Sequence, residues 1–181
     1  MTSVCLVGAS GSIGQQTLDV MSKNPNDFTL ISFSVGKRTR CISYILKKFP
    51  SVKYICIQDE KVANKYQKKY PNIIFFSKDN GLDELIKASD TDMVVNALVG
   101  FVGLKPTLTA LENNKTLCLA NKESLVIGGE LVNNLLKHGH GRLIPIDSEH
   151  VAIRKCLAVN NEDVDKIIIT ASGGPFRNLK R

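Results

Sequence analysis

Three glycines stand three residues apart directly after an apolar run near the start of the chain: Gly8, Gly11 and Gly14. A glycine-rich turn between a strand and a helix is where parallel sheets bind the pyrophosphate of a dinucleotide. Gly8 would permit the tight turn, Gly11 would let the main chain approach a phosphate, and Gly14 would let the helix pack closely. N–H groups at the helix start would face the anion, and Ser10 and Ser12 could add hydroxyl donors. The spacing G-x-x-G-x-x-G also fits an ordinary structural turn.

The second predicted strand ends in a basic segment, Gly36, Lys37 and Arg38, rather than in the acidic residue that an NAD site uses to bind the ribose hydroxyl. Two cations at this position suit a 2′-phosphate, because Arg grips a phosphate through two N–H groups and Lys supplies a point charge. The segment therefore favours NADPH over NADH. A solvated basic turn is the alternative.

A polar segment, LANKES at 119–124, stands where a later predicted strand ends and a helix begins. Ligands of open α/β sheets bind beyond the carboxyl ends of the strands, so Asn121, Lys122 and Glu123 are candidate binding residues. Asn121 followed by Glu123 could also form an ordinary helix cap. Lys122 does not suit a cap, because a cation at a helix N-terminus opposes the dipole, and this misfit favours function.

Two acidic residues two positions apart, Asp147 and Glu149, lie in the segment PIDSEH. In an extended chain residues i and i+2 point to the same side, so the carboxylates would converge. Like charges that close repel unless a cation lies between them, and oxygen ligands suit Mg²⁺ or Mn²⁺. Two solvated acids are the alternative. His150 would point to the opposite side and is not predicted to be a ligand.

A further glycine-rich segment, TASGGPF at 170–176, follows another predicted strand. Ser172 and the neighbouring main-chain N–H groups could hold a second phosphate. A plain turn explains the segment equally well.

The elements that must position these residues alternate regularly between apolar strands and helices, several of which stop before proline. This alternation predicts a fold of the α/β class, a doubly wound parallel sheet, as a Rossmann-like domain over residues 1–141. Residues 142–181 are predicted to begin a second domain. The predicted strands are 4–9, 28–36, 52–59, 72–77, 92–100, 115–121, 142–148 and 165–174. The predicted helices are 13–24, 39–49, 60–70, 80–90, 104–114 and 122–139.

The composition restricts the class of protein. The chain has 181 residues, 43% hydrophobic and 23% charged, with a formal net charge of +7. We expect no membrane span and no signal or transit peptide, since no long apolar run exists and a strand begins at once. Five scattered cysteines without a CxxC pair predict reduced thiols in a cytoplasm. The basic charge comes without a nucleic-acid-binding motif, so we expect an anionic small ligand and no nucleic-acid partner.

Taken in order, the segments GASGSIG, GKR, LANKES, PIDSEH and SGGPF closely resemble the 1-deoxy-D-xylulose 5-phosphate reductoisomerase family over essentially the whole chain. The resemblance implies an NADPH-binding Rossmann-like domain followed by the start of a catalytic, metal-binding α+β domain. It implies an NADP-dependent oxidoreductase that uses Mg²⁺ or Mn²⁺ in isoprenoid biosynthesis by the non-mevalonate pathway. The substrate would be a phosphorylated sugar, 1-deoxy-D-xylulose 5-phosphate, isomerised and reduced to 2-C-methyl-D-erythritol 4-phosphate. Members of the family are homodimers.

The resemblance also implies a role for each candidate residue. Those implied to bind NADPH are Ser10, Gly11, Ser12 and Ile13 at the pyrophosphate, Gly36, Lys37 and Arg38 at the 2′-phosphate side, and Asn121 and Glu123 at the nicotinamide half. Those implied to serve the reaction are Lys122 and Glu149 in catalysis, Asp147 and Glu149 at the metal, and Lys122, Ser148, Glu149 and Ser172 at the substrate.

Members of the family are about twice as long as this chain, and their third metal carboxylate, lid and C-terminal helical domain lie beyond the matching region. A site with two carboxylates and no lid would admit water. The alternative function is therefore a truncated, non-catalytic NADPH-binding fragment of that enzyme. Another reductase with a G-x-x-G-x-x-G loop, similar to dihydrodipicolinate reductase, is disfavoured by the PIDSEH and SGGPF segments.

Overall fold

The computed structural model of the chain describes residues 1–158 and 164–168. It divides into two units, Met1–Pro145 and a second unit that begins at Ile146. The first unit is built around a sheet of seven strands, and each pair of neighbouring strands is parallel. The strands are β1 Thr2–Val7, β2 Phe28–Val35, β3 Tyr54–Ile57, β4 Ile74–Phe76, β5 Met93–Asn96, β6 Thr116–Leu119 and β7 Arg142–Pro145.

The strand order along the sheet is β4-β3-β2-β1-β5-β6-β7. The chain thus builds outward from β1 to one edge and then continues from β5 to the other edge. The order reverses between β1 and β5, which is where open α/β sheets bind ligands beyond the carboxyl ends of the strands. The predicted α/β fold with a doubly wound, Rossmann-like parallel sheet is confirmed.

Helices follow the strands in turn. Helices α2 and α3 end in the residues just before Pro50 and Pro71, because a residue that precedes proline is disfavoured in helical conformation. Within the part of the chain that the structure describes, no helix has both the length and the apolar character needed to cross a lipid bilayer. The helices are α1 Ser12–Lys23, α2 Ile42–Lys48, α3 Glu60–Lys69, α4 Gly81–Ala88, α5 Leu104–Glu112, α6 Glu123–Lys137 and α7 Ser148–Leu157.

Strand β1 lies at the centre of the core. Its four consecutive apolar residues from Val4 to Val7 are each at most 1% exposed. A strand with one solvated face would alternate apolar and polar residues, whereas a parallel sheet covered on both faces buries every side chain. The uninterrupted apolar run therefore reflects the central place of β1 in the sheet.

Helix α6 is kinked where the sequence predicts one continuous helix. Gly128 has φ −122° and ψ 22°, outside the helical region. The side chain of Leu104 in α5 occupies the place where a Cβ atom of residue 128 would stand. Glycine at this position therefore lets α5 pack closely against α6.

Three predicted strands differ from the structure by more than two residues at one end. The strand predicted over 92–100 ends at Asn96. The strand predicted over 142–148 ends at Pro145, and helix α7 begins at Ser148 because Asp147 caps it. The strand predicted over 165–174 is wrong where it can be compared, since residues 164–168 have no regular secondary structure. Its remaining residues, with Ser172, lie outside the described part of the chain. Strand β7 pairs with β6, so the first unit extends to Pro145, and the predicted functional division at 141/142 stays a prediction.

Candidate functional site

The loop after β1 contains two glycines that the packing of the protein itself requires. Gly8 has φ +93°, in the left-handed region that favours glycine, and a Cβ atom there would meet the carbonyl oxygen of Ala97 at 2.9 Å. A Cβ atom on Gly14 would come within 2.7 Å of the Cα atom of Ala9. These contacts bring the first turn of α1 against the end of the sheet, as the sequence predicts.

Gly11, between them, is different. Its Cβ position lies 3.4 Å from the nearest atom, the carbonyl oxygen of Gly8, which is ordinary van der Waals contact. Gly11 is the N-cap residue of α1, and as glycine it has no side chain with which to cap the helix. The first helical hydrogen bond is donated by Gln15 N to Gly11 O at 2.9 Å, so the N–H groups of Ser12 and Ile13 precede the helical ladder. These donors suit an anion at the helix N-terminus.

Ser34 attaches this loop to strand β2. The main-chain N–H of Gly8 donates to Ser34 Oγ at 2.9 Å, and that of Ala9 donates to Ser34 O at 2.8 Å. Ser34 is 3% exposed and stands one residue before the end of β2. The glycine loop and the segment Gly36 to Arg38 therefore leave the sheet side by side at its carboxyl edge. Ser34 is not among the residues predicted from the sequence, and its signal there is a polar residue inside an apolar strand.

The basic turn after β2 is anchored through its main chain. Lys37 and Arg38 are exposed. Thr39 N donates to Lys37 O at 3.1 Å, and the thiol of Cys41 donates to Arg38 O at 3.2 Å. The hydroxyl of Tyr66, in α3, donates to Thr39 O at 3.0 Å. The side chains of Lys37 and Arg38 thus project from a turn whose main-chain carbonyl groups accept hydrogen bonds from within the turn and from α3.

Asn121 is fully buried and its amide group is saturated. Its Nδ2 atom donates to Leu98 O at 3.1 Å and to Gly100 O at 2.9 Å. Its Oδ1 atom accepts from Ser124 N at 3.1 Å and also from the Ser124 hydroxyl. An asparagine amide has two donor hydrogens and two acceptor lone pairs, so all four are used within the chain. Asn121 stands one residue before the N-cap position of α6, and its side chain satisfies an N–H group in the first turn, which is the capping role that the sequence raised as the alternative.

A second buried asparagine, Asn96, braces the other side of the loop after β5. Its Nδ2 atom donates to Gly103 O at 2.9 Å and to Thr107 Oγ1 at 3.0 Å, and its Oδ1 atom accepts from Leu98 N at 3.2 Å. Asn96 is not among the residues predicted from the sequence. The available signal was a polar residue at the end of an apolar strand, the same signal that Asn121 gives after β6.

The loop after β5, which Asn96 and Asn121 hold by hydrogen bonds, exposes apolar side chains to solvent. Val99 is 84% exposed, Phe101 67% and Val102 61%. Gly100 has φ +75°, and no atom lies within 4 Å of its Cβ position. An apolar surface thus stands beyond the end of β5, next to the reversal in strand order.

Lys122 and Glu123 lie at the start of α6. Lys122 is exposed and is the N-cap residue of α6, the position for which the sequence disfavours a cation. Its carbonyl oxygen accepts from Leu125 N at 3.0 Å. Glu123 is half-buried in the first turn, where a carboxylate complements the helix dipole. Strand β6 pairs with β5, and Asn96 lies opposite Leu119. Lys122 and Glu123 therefore follow the same carboxyl edge of the sheet as the glycine loop.

In the second unit, Asp147 is the N-cap residue of α7, and its own main chain is still extended at φ −76° and ψ 157°. Its Oδ1 atom accepts from His150 N at 3.1 Å, and His150 Nδ1 lies 2.8 Å from Asp147 Oδ2. The hydroxyl of Ser148 donates to Glu149 Oε2 at 2.8 Å. The extended segment predicted over Asp147 and Glu149 is wrong, because Glu149 is in a helix, and the metal-binding role of the two carboxylates stays a prediction. The prediction that His150 points away from Asp147 is also wrong.

The chemistry of these donors fits a hard divalent cation in part. The carboxylates of Asp147 and Glu149 offer the oxygen ligands that Mg²⁺ and Mn²⁺ prefer. Among residues 1–158 and 164–168, no three His, Cys, Asp or Glu side chains gather into a ligand cluster. A cation held by the two carboxylates would therefore need further oxygen ligands, such as water or substrate.

The whole chain is similar to one family of proteins. The sequence model of 1-deoxy-D-xylulose 5-phosphate reductoisomerase matches residues 4–129, and that of its C-terminal domain matches residues 143–181. A 1-deoxy-D-xylulose 5-phosphate reductoisomerase of Clostridium novyi (strain NT) is 45% identical over 186 residues, which cover 99% of this chain and 48% of that relative. The chain thus spans about half the length of this curated relative.

Solved structures share the fold. A 1-deoxy-D-xylulose 5-phosphate reductoisomerase from Zymomonas mobilis in complex with NADPH is 34% identical with a TM-score of 0.85, covering 99% of this chain and 48% of that chain. A DOX-P reductoisomerase in complex with magnesium is 32% identical with a TM-score of 0.87, again covering 99% and 48% of the two chains. The family resemblance of the five sequence segments is confirmed.

Proposed function

We propose that this chain, which belongs to the 1-deoxy-D-xylulose 5-phosphate reductoisomerase family, binds NADPH across the carboxyl edge of its parallel sheet. The observation that carries the proposal is the placement of an uncapped helix N-terminus at Gly11 beside the basic turn after β2. Both features suit the phosphates of one dinucleotide. The first unit would then be the NADPH-binding domain of an NADP-dependent oxidoreductase.

The pyrophosphate would lie on the first turn of α1. Ser12 and Ile13 would offer main-chain N–H groups, and the hydroxyls of Ser10 and Ser12 would add donors. Gly11 supports this assignment because the protein's own packing does not demand glycine there. A residue without a side chain at that position lets a phosphate approach the main chain.

The 2′-phosphate would lie against Gly36, Lys37 and Arg38. Arg38 would form paired hydrogen bonds with phosphate oxygens, and Lys37 would add a point charge. An acceptor for a free ribose hydroxyl is not part of this segment, so NADPH would bind more tightly than NADH.

The nicotinamide half would reach the loops after β5 and β6. Glu123 is half-buried there and can accept hydrogen bonds. Asn121 would act through its main chain and by holding the loop after β5, because its amide is already saturated. When bound, NADPH would supply the hydride for a reduction.

The substrate of the reaction would be the phosphorylated sugar 1-deoxy-D-xylulose 5-phosphate. Lys122 would contact the substrate as a cation, Ser148 and Glu149 would contact it through oxygen atoms, and Ser172 would help to hold its phosphate. Asp147 and Glu149 would hold Mg²⁺ or Mn²⁺, with Lys122 and Glu149 as catalytic residues. A divalent cation, when bound, would stabilise negative charge on substrate oxygen atoms. The product would be 2-C-methyl-D-erythritol 4-phosphate, for isoprenoid biosynthesis in the cytoplasm.

A second candidate function is an NADPH-binding module without turnover. It is favoured by the position of the glycine loop and of Gly36, Lys37 and Arg38, all of which lie in the first unit. A homodimer, as in the family, stays a prediction.

Binding and turnover measurements separate these functions. The chain is titrated with NADPH and with NADH, following nicotinamide fluorescence, and NADPH oxidation is then followed with 1-deoxy-D-xylulose 5-phosphate and Mn²⁺. Preferential NADPH binding with turnover supports the enzyme, and preferential binding without turnover supports the module. Failure to bind NADPH contradicts both.

A further inference from the structure

We infer that Tyr66 is a positioning residue for the 2′-phosphate clamp, defined as Lys37 and Arg38, and that its hydroxyl group sets part of the selectivity for a 2′-phosphorylated nucleotide. The inference rests on the proposed NADPH site. It concerns a residue in α3, far along the chain from the clamp, that none of the sequence motifs includes.

The hydroxyl of Tyr66 is linked to the main chain of the clamp by hydrogen bonds to and from one residue, Thr39. It donates a hydrogen bond to Thr39 O at 3.0 Å. The same Thr39 donates its main-chain N–H to Lys37 O at 3.1 Å. The carbonyl that Tyr66 holds and the carbonyl of Lys37 therefore belong to one hydrogen-bonded turn.

The ring of Tyr66 is fixed by aromatic neighbours, so its hydroxyl is a defined anchor. Its ring centroid lies 6.2 Å from that of Tyr70, nearly parallel, and 6.2 Å from that of Phe75 in β4. Aromatic rings at such distances attract one another. The anchor therefore ties the clamp to α3 and to the sheet, in addition to the bond that Ile42 N of α2 donates to the same Thr39 carbonyl at 3.1 Å.

A fixed main chain matters here because the two cations are exposed and long. Ordering such side chains on a ligand costs conformational entropy, and a pre-organised turn lowers the total cost of binding. Only a ligand that contacts the clamp benefits. Loss of the anchor should therefore weaken binding of a 2′-phosphate while leaving the rest of the nucleotide unaffected.

The test uses two nucleotides that differ only in the 2′-phosphate: adenosine 2′,5′-bisphosphate and adenosine 5′-monophosphate. Their affinities are measured by calorimetry for the wild-type chain, Tyr66→Phe and Tyr70→Phe. Tyr66→Phe keeps the ring and removes the hydroxyl. Tyr70→Phe is the matched control, because its hydroxyl pairs with Ser43 Oγ at 2.9 Å in α2 rather than with the clamp.

We expect Tyr66→Phe to reduce the preference for the bisphosphate by roughly two- to ten-fold, the effect of one hydrogen bond. Affinity for the monophosphate should be unchanged, and Tyr70→Phe should keep the wild-type preference. A merely structural role would lower both affinities together and overturn the inference. An unchanged preference in Tyr66→Phe would also overturn it while the NADPH site stands. A wild-type chain without any preference would overturn the proposed site and the inference with it.

Discussion

Gly14 packs directly on Ala9: a Cβ atom on Gly14 would stand 2.7 Å from the Cα atom of Ala9. This contact presses the first turn of α1 against the end of β1. Gly11 has no comparably close neighbour, since its Cβ position is 3.4 Å from the nearest atom. The fold therefore demands glycine at 14, whereas at 11 the demand would come from the proposed pyrophosphate.

Alanine substitutions should separate the two roles. Gly14→Ala should lower the free energy of unfolding by about 1–3 kcal/mol, because the methyl group meets main-chain atoms that cannot move aside freely. Gly11→Ala should lower stability less than Gly14→Ala, because its methyl group meets no close atom and only the poorer N-cap preference of alanine counts against it, and it should weaken NADPH binding. Urea unfolding and NADPH titration measure the two effects. Gly129→Ala is the control, since no atom lies within 4 Å of that position, and it should alter neither quantity adversely.

Removing the clamp cations should change the choice of nucleotide. The double variant Lys37→Ala, Arg38→Ala should weaken NADPH binding by about 1–3 kcal/mol, because charge-assisted bonds to the 2′-phosphate are lost. NADH binding should stay about the same. Fluorescence titration with both nucleotides checks this. Equal losses for NADPH and NADH would refute the assignment of the 2′-phosphate.

The effect of Asn121→Ala should appear first in stability. The change removes the side-chain partner of Ser124 N, which is buried, and of Leu98 O and Gly100 O, which are half-buried. Each unsatisfied buried group costs about 1–3 kcal/mol, so the free energy of unfolding should fall markedly. Asn133→Ala, at an exposed position of the same helix, is the control. A stable Asn121→Ala chain that has lost only nucleotide binding would show that the amide serves the ligand instead.

Asp147→Asn should abolish Mn²⁺ binding without unfolding helix α7. Asparagine caps a helix about as well as aspartate but does not supply a carboxylate. The paramagnetic relaxation of water protons by Mn²⁺ would report binding, and circular dichroism would report helix content. Asp90→Asn changes an exposed carboxylate in the first unit and should leave Mn²⁺ binding intact. Unchanged Mn²⁺ affinity in Asp147→Asn would remove Asp147 from the metal ligands.

Buried thiols should make stability decrease at alkaline pH. Burial raises the pKa of Cys5 from 9.0 to about 11 and that of Cys56 to about 12. Because the unfolded chain releases these protons at lower pH than the folded chain, the free energy of unfolding should fall as pH rises above 9.0 through the folded pKa values. Urea unfolding at about pH 8 and about pH 10 measures the fall. Cys56→Ala should reduce the difference between the two values; an undiminished difference would contradict this assignment.

Thiol reactivity should follow exposure. All five cysteines are free; Cys156 is exposed, and Cys41 is half-buried with a raised pKa caused by burial. A thiol reagent should label Cys156 first and Cys41 more slowly. Because Cys41 donates to Arg38 O, bound NADPH should slow its labelling further. Mass spectrometry of the labelled peptides with and without NADPH checks this, and Cys156 serves as the internal control.

Much of the first unit follows from local sequence. Apolar runs, glycine turns and prolines after helices predict the alternation of strands and helices, because periodicity and turn chemistry act over a few residues. The glycine loop and the basic turn are recognisable for the same reason, since each is a short segment at the end of a strand. Asp147 shows where such local patterns mislead. The carboxylates of Asp147 and Glu149 would point to the same side only in a strand, but Asp147 caps a helix that begins at the next residue.

Only the tertiary structure decided which distant groups meet. The bond from Tyr66 to Thr39 joins residues 27 positions apart, and those from Asn121 to Leu98 and Gly100 span 23 and 21 positions. Such contacts depend on strand order, which brings β3 beside β2 and β6 beside β5. Local propensity carries no information about that order, because strand pairing is determined by the burial of the whole sheet and not by any single segment.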